Sequence, residues 1–313
     1  MSGKISIVIP TLNGGALLRE CLAAIRSQRF DGEVELLAVD SGSADDTLRT
    51  LEEFGARIHS IPQREFNHGG TRNTAIEMAE GELIVLTVQD AAPQGDGWLK
   101  ALVAPFEDPK VAGVYGRQMP RADANLLTKR RLGEWLTSRG EQSVSEITDR
   151  TAYEKLPPLE KYKVCNFDNV CSCIRKEVWQ RHRFPETNFA EDIEWARDVL
   201  LDGCKIVFEP AAAVVHSHRR SIFYEYRRAY IAARRLHQIF GYAAVPSLYA
   251  FLHHAWYYAA KNAKMVWRSD ASSAEKMRCV FRACALGFLE TLAQYRAYRD
   301  EKGAKPLEKQ RGV

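Results

Sequence analysis

Short apolar runs alternate with helical repeats through the first third of the chain. ISIVIP (5–10), VELLAVD (34–40), ARIHSIP (56–62) and ELIVLTV (82–88) read as strands, separated by the helical stretches ALLRECLAAIRSQ, DDTLRTLEEFG and GGTRNTAIEMAEG. Strands of five to seven residues alternating with helices of ten to thirteen predict parallel strands joined by crossover helices, an α/β sheet covered on both faces. Ligands of such sheets lie beyond the carboxyl ends of the strands. Chemistry is therefore expected in residues 10–15, 40–46 and 89–93.

Beyond Ser221 the period changes to purely helical, which predicts a domain over 1–220 and a helical appendage over 221–313. Three helices are expected: IFYEYRRAYIAARRLHQIFGY, PSLYAFLHHAWYYAAKNAKMVWR and SSAEKMRCVFRACALGFLETLAQYRAYRD. Arg227 with Arg228 and Arg234 with Arg235 recur seven residues apart, which gathers them on nearly one face. No Asp, Glu, Lys or Arg occurs between Arg235 and Lys261, a span of membrane-crossing length. It holds His237, Gln238, Pro246, His253 and His254, however, and is richer in Tyr and Trp than in Leu and Ile. That composition suits a helix lying in an anionic membrane interface, with a helical bundle or homo-oligomer interface as the alternative.

Composition narrows the class. A chain of 313 residues with 46% hydrophobic and 27% charged content has the balance of a globular protein. The net charge of +4 is too small to announce nucleic-acid binding, and no recognition motif is present, so nucleic acid is set aside as a partner. The excess base is local: residues 219–299 carry 14 Lys or Arg against 4 Asp or Glu. Seven cysteines, an odd number without a CxxC pair, read as reduced thiols, and the opening MSGKISIVIP lacks an export signal, so a cytoplasmic location is expected.

Polar residues at the strand ends supply the candidate chemistry. Asp40 follows a strand and suits a base imide or ribose hydroxyl, or else closes a turn, while Ser43 is placed to cap the next helix. Two glycines, Gly69 and Gly70, precede a helix carrying Arg72 on its first turn, an arrangement able to meet an anion. It is neither a GK[ST] loop nor a GxGxxG fingerprint. Asp90 ends the fourth strand, where a carboxylate suits a divalent ion shared with a pyrophosphate, although Val88 stands where a second acid is expected. In FAEDIEW, Asp192 is either a proton acceptor or a helix-start acid favoured by the dipole. AAAVVHSHRRS places His216 and His218 on one face by strand alternation.

In this order, ISIVIPTLNGG, LAVDSGSADDT, FNHGGTRN, TVQDAAP and FAEDIEW resemble the inverting family 2 glycosyltransferases of the GT-A fold, over about residues 4–220. FNHGGTRN, QDA, VYGRQMP and NVCSCIRKEVW are most similar to the bacterial rhamnosyltransferases that use dTDP-L-rhamnose for surface polysaccharides. The resemblance implies nucleotide contacts from Pro10, Thr11, Asn13, Asp40 and Arg72. It implies Mg²⁺ or Mn²⁺ on Asp90 with His216 or His218, His216 being favoured, and Asp192 as general base. Gln89, Arg117, Gln118, Asn169, Glu191 and Trp195 are then expected around the donor sugar or acceptor, with Glu191 orienting the acceptor or serving a structural role. Residues 122–161 are expected to form a mobile acceptor loop or an ordered surface excursion. The implied acceptor is a glycan on a polyprenyl diphosphate, which places the enzyme peripherally on the cytoplasmic face of the inner membrane. A UDP-hexose or UDP-N-acetylhexosamine donor, or a non-catalytic nucleotide-sugar-binding scaffold, are the alternatives.

Overall fold

The structure, a computed structural model, describes residues 4–134, 136–218, 220–268 and 272–303. It begins with the alternation the sequence predicts: β1 (Ile5–Thr11), α1 (Gly15–Arg26), β2 (Val34–Asp40), α2 (Thr47–Glu53), β3 (Arg57–Ser60), α3 (His68–Met78) and β4 (Leu83–Thr87). β5 (Ala92–Pro93), α4 (Trp98–Val103), β6 (Val111–Met119), α5 (Leu126–Gly133), β7 (Ser143–Glu146), α6 (Arg150–Lys155) and α7 (Pro158–Val164) follow. The chain continues through β8 (Cys171–Arg175), α8 (Lys176–Arg181), α9 (Glu191–Leu201), β9 (Lys205–Val215), α10 (Ile222–Phe240), α11 (Leu248–Trp267) and α12 (Ser273–Lys302).

One sheet runs β3-β2-β1-β4-β8-β6-β9-β5, with β7 added on β9. β3, β2, β1 and β4 are parallel, as are β6 and β9, whereas β8 lies antiparallel between β4 and β6. Apolar residues of both sheet faces are enclosed: Ile7, Ile9 and Val85 share one core cluster with Leu18, Leu51, Trp98 and Leu102, and Val8 and Leu37, which alternate to the other face, are equally buried. The mainly parallel GT-A arrangement is thus present, with one antiparallel strand inside it. Residues 122–161 hold regular elements, among them β7 paired antiparallel with β9, so the ordered excursion rather than a structureless loop describes them.

The chain divides into two compact units. The first comprises the described residues of Met1–Ala122, Leu132–Leu156 and Lys163–Ser217, and contains the whole sheet. The second comprises those of Asp123–Arg131, Pro157–Tyr162 and His218–Val313. Residues 269–271 and 304–313 of the expected appendage lie outside the described residues.

In the second unit, α10 begins on Ser221, whose side chain accepts from the Tyr224 amide at 3.2 Å, and ends at Gly241 with φ of 70°. Glycine takes that left-handed conformation without the steric cost of a Cβ. Ser247 caps α11 in the same way through the Ala250 amide. Leu127 of α5 packs with Ala283 and Leu286 of α12, and Phe251 of α11 stacks on Tyr295 of α12.

Candidate functional site

Parallel register sets Thr11 beside Asp40 at the ends of β1 and β2. The Thr11 hydroxyl donates to Asp40 Oδ1 at 3.0 Å, and the amides of Gly42 and Ser43 donate to Oδ2 at 3.0 and 2.9 Å. Ser43 Oγ also donates to Oδ1, so the 1%-exposed carboxylate closes the 40–43 turn with all its acceptor capacity engaged. Ser43 does not cap α2, which starts later, at Thr47; its hydroxyl serves this turn and accepts the Asn13 amide at 2.8 Å. Asn13 sits at φ of 48° and its side-chain oxygen receives the Ala44 amide, while Pro10 precedes it half-buried.

From the other side, Gln89 accepts from the Leu12 amide at 2.9 Å and donates to the Leu12 carbonyl at 3.0 Å. Both ends of the Gln89 amide thus clamp the backbone of the 11–14 loop.

Gly69 and Gly70, expected before a helix, lie in the first turn of α3, where each has a local partner. A Cβ on Gly69 would stand 1.8 Å from the Pro185 carbonyl oxygen, and the Gly69 and Gly70 amides donate to the Thr187 carbonyl and to the Asn67 cap. Close packing, not an anion, requires these glycines. Arg72, 4% exposed, donates through Nη1 to Glu191 Oε1 at 2.7 Å and to the His68 carbonyl at 3.1 Å. Arg72, expected at the nucleotide, forms this internal ion pair with Glu191. Its Nε is buried without a partner among the described residues, as is Nε of the half-buried Arg117 on β6.

Glu191 opens α9 and is 5% exposed, so it takes the structural of its two expected roles. Asn169, 1% exposed, donates from its amide side chain to Glu191 at 3.4 Å and from its backbone to Asp192 Oδ2 at 3.3 Å. Trp195 is wholly buried against Phe167 and Phe184 and donates Nε1–H to the His182 carbonyl at 2.8 Å. Asn169 and Trp195 are thus corrected from ligand contacts to groups that hold α9 in place. Asp192 itself is half-buried. Its burial, with the Glu191 and Asp168 carboxylates adding to the effect, raises its pKa well above the usual carboxylate range, against the lowering influence of Arg72.

Asp90 follows β4, and His216 follows β9, where its amide still donates to the Met119 carbonyl of β6 at 2.8 Å. His216 Nε2 faces Asp90 Oδ1 at 3.6 Å. His218, two residues on, is the first residue of the second unit. A carboxylate and an imidazole nitrogen form a donor pair able to bind a divalent ion, with further positions left to other ligands. Val88 packs into the core and contributes no ligand. Behind His216, Gln118 Oε1 lies 2.8 Å from Nδ1, and Gln118 Nε2 donates to Asp168 Oδ2. Gln118, expected near sugar or acceptor, is 7% exposed and bonded at both ends to protein.

Asp168 is the site residue sequence reasoning passed over. It lies in the loop before β8, its Oδ1 accepts the Val170 amide at 3.0 Å, and its charge reaches Asp192. The one available signal was an acid in NFDNV directly preceding a buried strand.

Comparison with known proteins places the chain by sequence and by fold. The family described as Glycosyl transferase family 2 matches residues 6–182. The chain is 33% identical over 229 residues to the O-antigen chain rhamnosyltransferase RfbN of Salmonella typhimurium, covering 72% of this chain and 70% of that protein. It is 30% identical over 231 residues to the O-antigen chain rhamnosyltransferase WbaN of Salmonella anatum, covering 71% and 69%. The fold is similar to that of the mannosyltransferase PcManGT from Pyrobaculum calidifontis, solved with GDP-Man and Mn²⁺. The TM-score is 0.59 at 20% identity, over 98% of this chain and 89% of that one.

Proposed function

We propose that this chain, which belongs to glycosyl transferase family 2, transfers L-rhamnose from dTDP-L-rhamnose to a hydroxyl of a surface-glycan acceptor with inversion at the sugar carbon. The observation that carries the mechanism is Asp192, a carboxylate at the start of α9 with a raised proton affinity. A single displacement needs the acceptor hydroxyl to lose its proton as it attacks, and one positioned carboxylate of raised pKa suits that task. Arg72, Glu191 and the Asn169 amide hold Asp192 in orientation.

Asp90 and His216, with His218 as the further candidate, are the residues that would hold a divalent ion. When bound, the ion supplies neutralisation of the departing diphosphate. Thr11, Asn13 and Asp40 shape the loop that receives the nucleotide, and Gln89 keeps that loop from collapsing. The half-buried Arg117, with its unpartnered Nε, is the side chain we assign to the sugar or acceptor.

Rhamnose as the sugar draws its support from two O-antigen rhamnosyltransferases similar over about 70% of the chain. A polyprenyl-diphosphate carrier for the acceptor fits the second unit. Among the described residues no helix is long and apolar enough to cross a membrane, yet Tyr249, Trp256 and Trp267 of α11 are 78%, 71% and 75% exposed. Large aromatics left in water beside Lys261, Lys264 and Arg268 suit an anionic lipid surface.

Calorimetric titration with dTDP-L-rhamnose and with UDP-sugars, each with Mn²⁺ and with EDTA, tests the donor. Metal-dependent binding of dTDP-L-rhamnose alone is expected. Preference for a UDP-hexose or UDP-N-acetylhexosamine would overturn the donor and leave the mechanism. Donor binding without turnover, with every donor and acceptor tried, would favour a non-catalytic nucleotide-sugar-binding scaffold.

A further inference from the structure

We infer that Gln118 is a positioning residue that fixes the tautomer of His216 and thereby aims its Nε2 lone pair at the cation site, with Asp168 dictating which way the Gln118 amide is turned. The inference rests on the reading of Asp90 and His216 as cation ligands.

The chain of argument starts at Asp168. An ionised carboxylate only accepts hydrogen bonds, so the group of Gln118 that meets Asp168 Oδ2 has to be the amide nitrogen. With the nitrogen turned that way, the amide oxygen faces His216 Nδ1 at 2.8 Å. An amide oxygen also only accepts, so Nδ1 carries the proton. In a neutral imidazole the other nitrogen is then bare, and Nε2 is the atom that faces Asp90 Oδ1 at 3.6 Å. That separation is too long for a hydrogen bond, and two converging lone-pair donors are the arrangement a cation completes.

The fold secures each link. The ladder between β6 and β9 shifts register between Gly116 and Arg117, which sets the direction of the residues that follow. A Cβ on Gly116 would stand 2.0 Å from the Ala212 carbonyl oxygen, so only glycine permits the strands to approach there. The Val170 amide anchors the other oxygen of Asp168 at 3.0 Å. Gln118 is 7% exposed, which leaves bulk water little access to replace its bonds. Free histidine side chains favour the proton on Nε2. Without Gln118, His216 therefore relaxes to the tautomer that blocks its own ligand nitrogen.

Two measurements on the full chain test this. Nitrogen-15 NMR of the histidine-labelled, metal-free protein at neutral pH should show His216 as the Nδ1–H tautomer, and Gln118→Met should convert it to Nε2–H. Calorimetric titration with Mn²⁺ alone, without nucleotide sugar, should show affinity about 10- to 100-fold weaker in Gln118→Met. If Gln118→Met does not fold, Asp168→Asn carries the same test. An asparagine can meet either end of the Gln118 amide, so a mixture of His216 tautomers and a smaller loss of Mn²⁺ affinity are expected.

A wild-type His216 that is Nε2–H or doubly protonated overturns the inference, as does unchanged Mn²⁺ affinity in a folded Gln118→Met. Asp90→Asn and His216→Ala separate the two levels of failure. If they abolish Mn²⁺ binding while Gln118→Met does not, only the positioning role falls; if they too leave it unchanged, the cation site falls with it.

Discussion

Trp195 and Trp256 are the same residue placed under opposite conditions. In the first unit, Trp195 has no exposed surface, is enclosed by Phe167 and Phe184, and gives its N–H to the His182 carbonyl. In the second, Trp256 stands on α11 with 71% of its surface in water. The first contributes to stability because its area has left water; the second offers the same area to something outside the unit. Charges divide along similar lines. Arg72 and Glu191 form a buried pair beside Asp192, whereas α11 carries Lys261 and Lys264, with Arg268 directly after it, and no acid at all. The strand-end site satisfies its polar groups from within, whereas α11 leaves large aromatic side chains in water.

The largest effect expected in the first unit is on turnover. Asp192→Asn keeps size and burial but removes the base, so transfer should fall by roughly 10²- to 10⁴-fold while donor affinity measured by calorimetry stays within about twofold. Equal loss of turnover and donor binding would mean that Asp192 holds the donor instead. Next comes the tryptophan pair itself. Trp195→Ala should cost about 3–5 kcal/mol of unfolding free energy, read from a denaturant melt, and Trp256→Ala less than about 0.5 kcal/mol. A large loss from Trp256→Ala would show that its exposed face is not free surface in solution, and the comparison would break at that point.

The parts of the molecule legible in the sequence are those built from neighbours in the chain. The alternation through β4 and the three terminal helices follow from periodicity, and Ser221 and Gly241 mark the ends of α10 by ordinary capping chemistry. Residues whose partners lie far along the chain were misread. Arg72 meets Glu191 across 119 residues and Arg234 meets Glu301 across 67, so neither pairing leaves a local signal. Arg234 was expected on an arginine-rich outer face; it is 3% exposed and held by Glu301 at 2.6 Å, which leaves that face with fewer arginines than the seven-residue spacing suggested. Trp195 was misplaced for the same reason: its position next to the acid pair suggested a ligand contact, but only the fold reveals that Phe167 and Phe184 close over it. The antiparallel insertion of β8 between β4 and β6 has no signature in a run of apolar residues that any buried strand would share.

A third prediction turns on the outer aromatics. Flotation of the full chain should recover it with vesicles containing anionic phospholipid and not with purely zwitterionic ones, and added salt should weaken the association. Replacing Trp256 and Trp267 together by alanine should reduce the vesicle-bound fraction about tenfold or more without moving the melting temperature. Recovery of the wild-type chain in the soluble fraction at low salt would sink the lipid reading. A concentration-dependent dimer abolished by the same double change would instead make a second copy the occupant of this face. Against a parallel pairing stands the charge pattern: α11 laid parallel on a second copy would bring Lys261 and Lys264 against like charges with no acid on the helix to meet them.

The smallest expected effect is also the finest probe of how the first unit tunes its acid. Asp192 works as a base only when ionised, so kcat/KM should rise with pH as its proton is lost, and the raised proton affinity displaces that limb above the ordinary aspartate range. The neighbours act with known sign. Asp168 opposes ionisation of Asp192, so Asp168→Asn should move the limb to lower pH; Arg72 favours ionisation, so Arg72→Met should move it to higher pH. Arg72→Met also strands Glu191 in a buried place, at a cost on the order of 3–5 kcal/mol, so its profile is best measured well below its melting temperature. Opposite shifts in the two variants would tie the limb to Asp192. Shifts in the same direction would assign it to another group, because no single carboxylate flanked by Asp168 and Arg72 responds alike to the loss of a negative and of a positive neighbour.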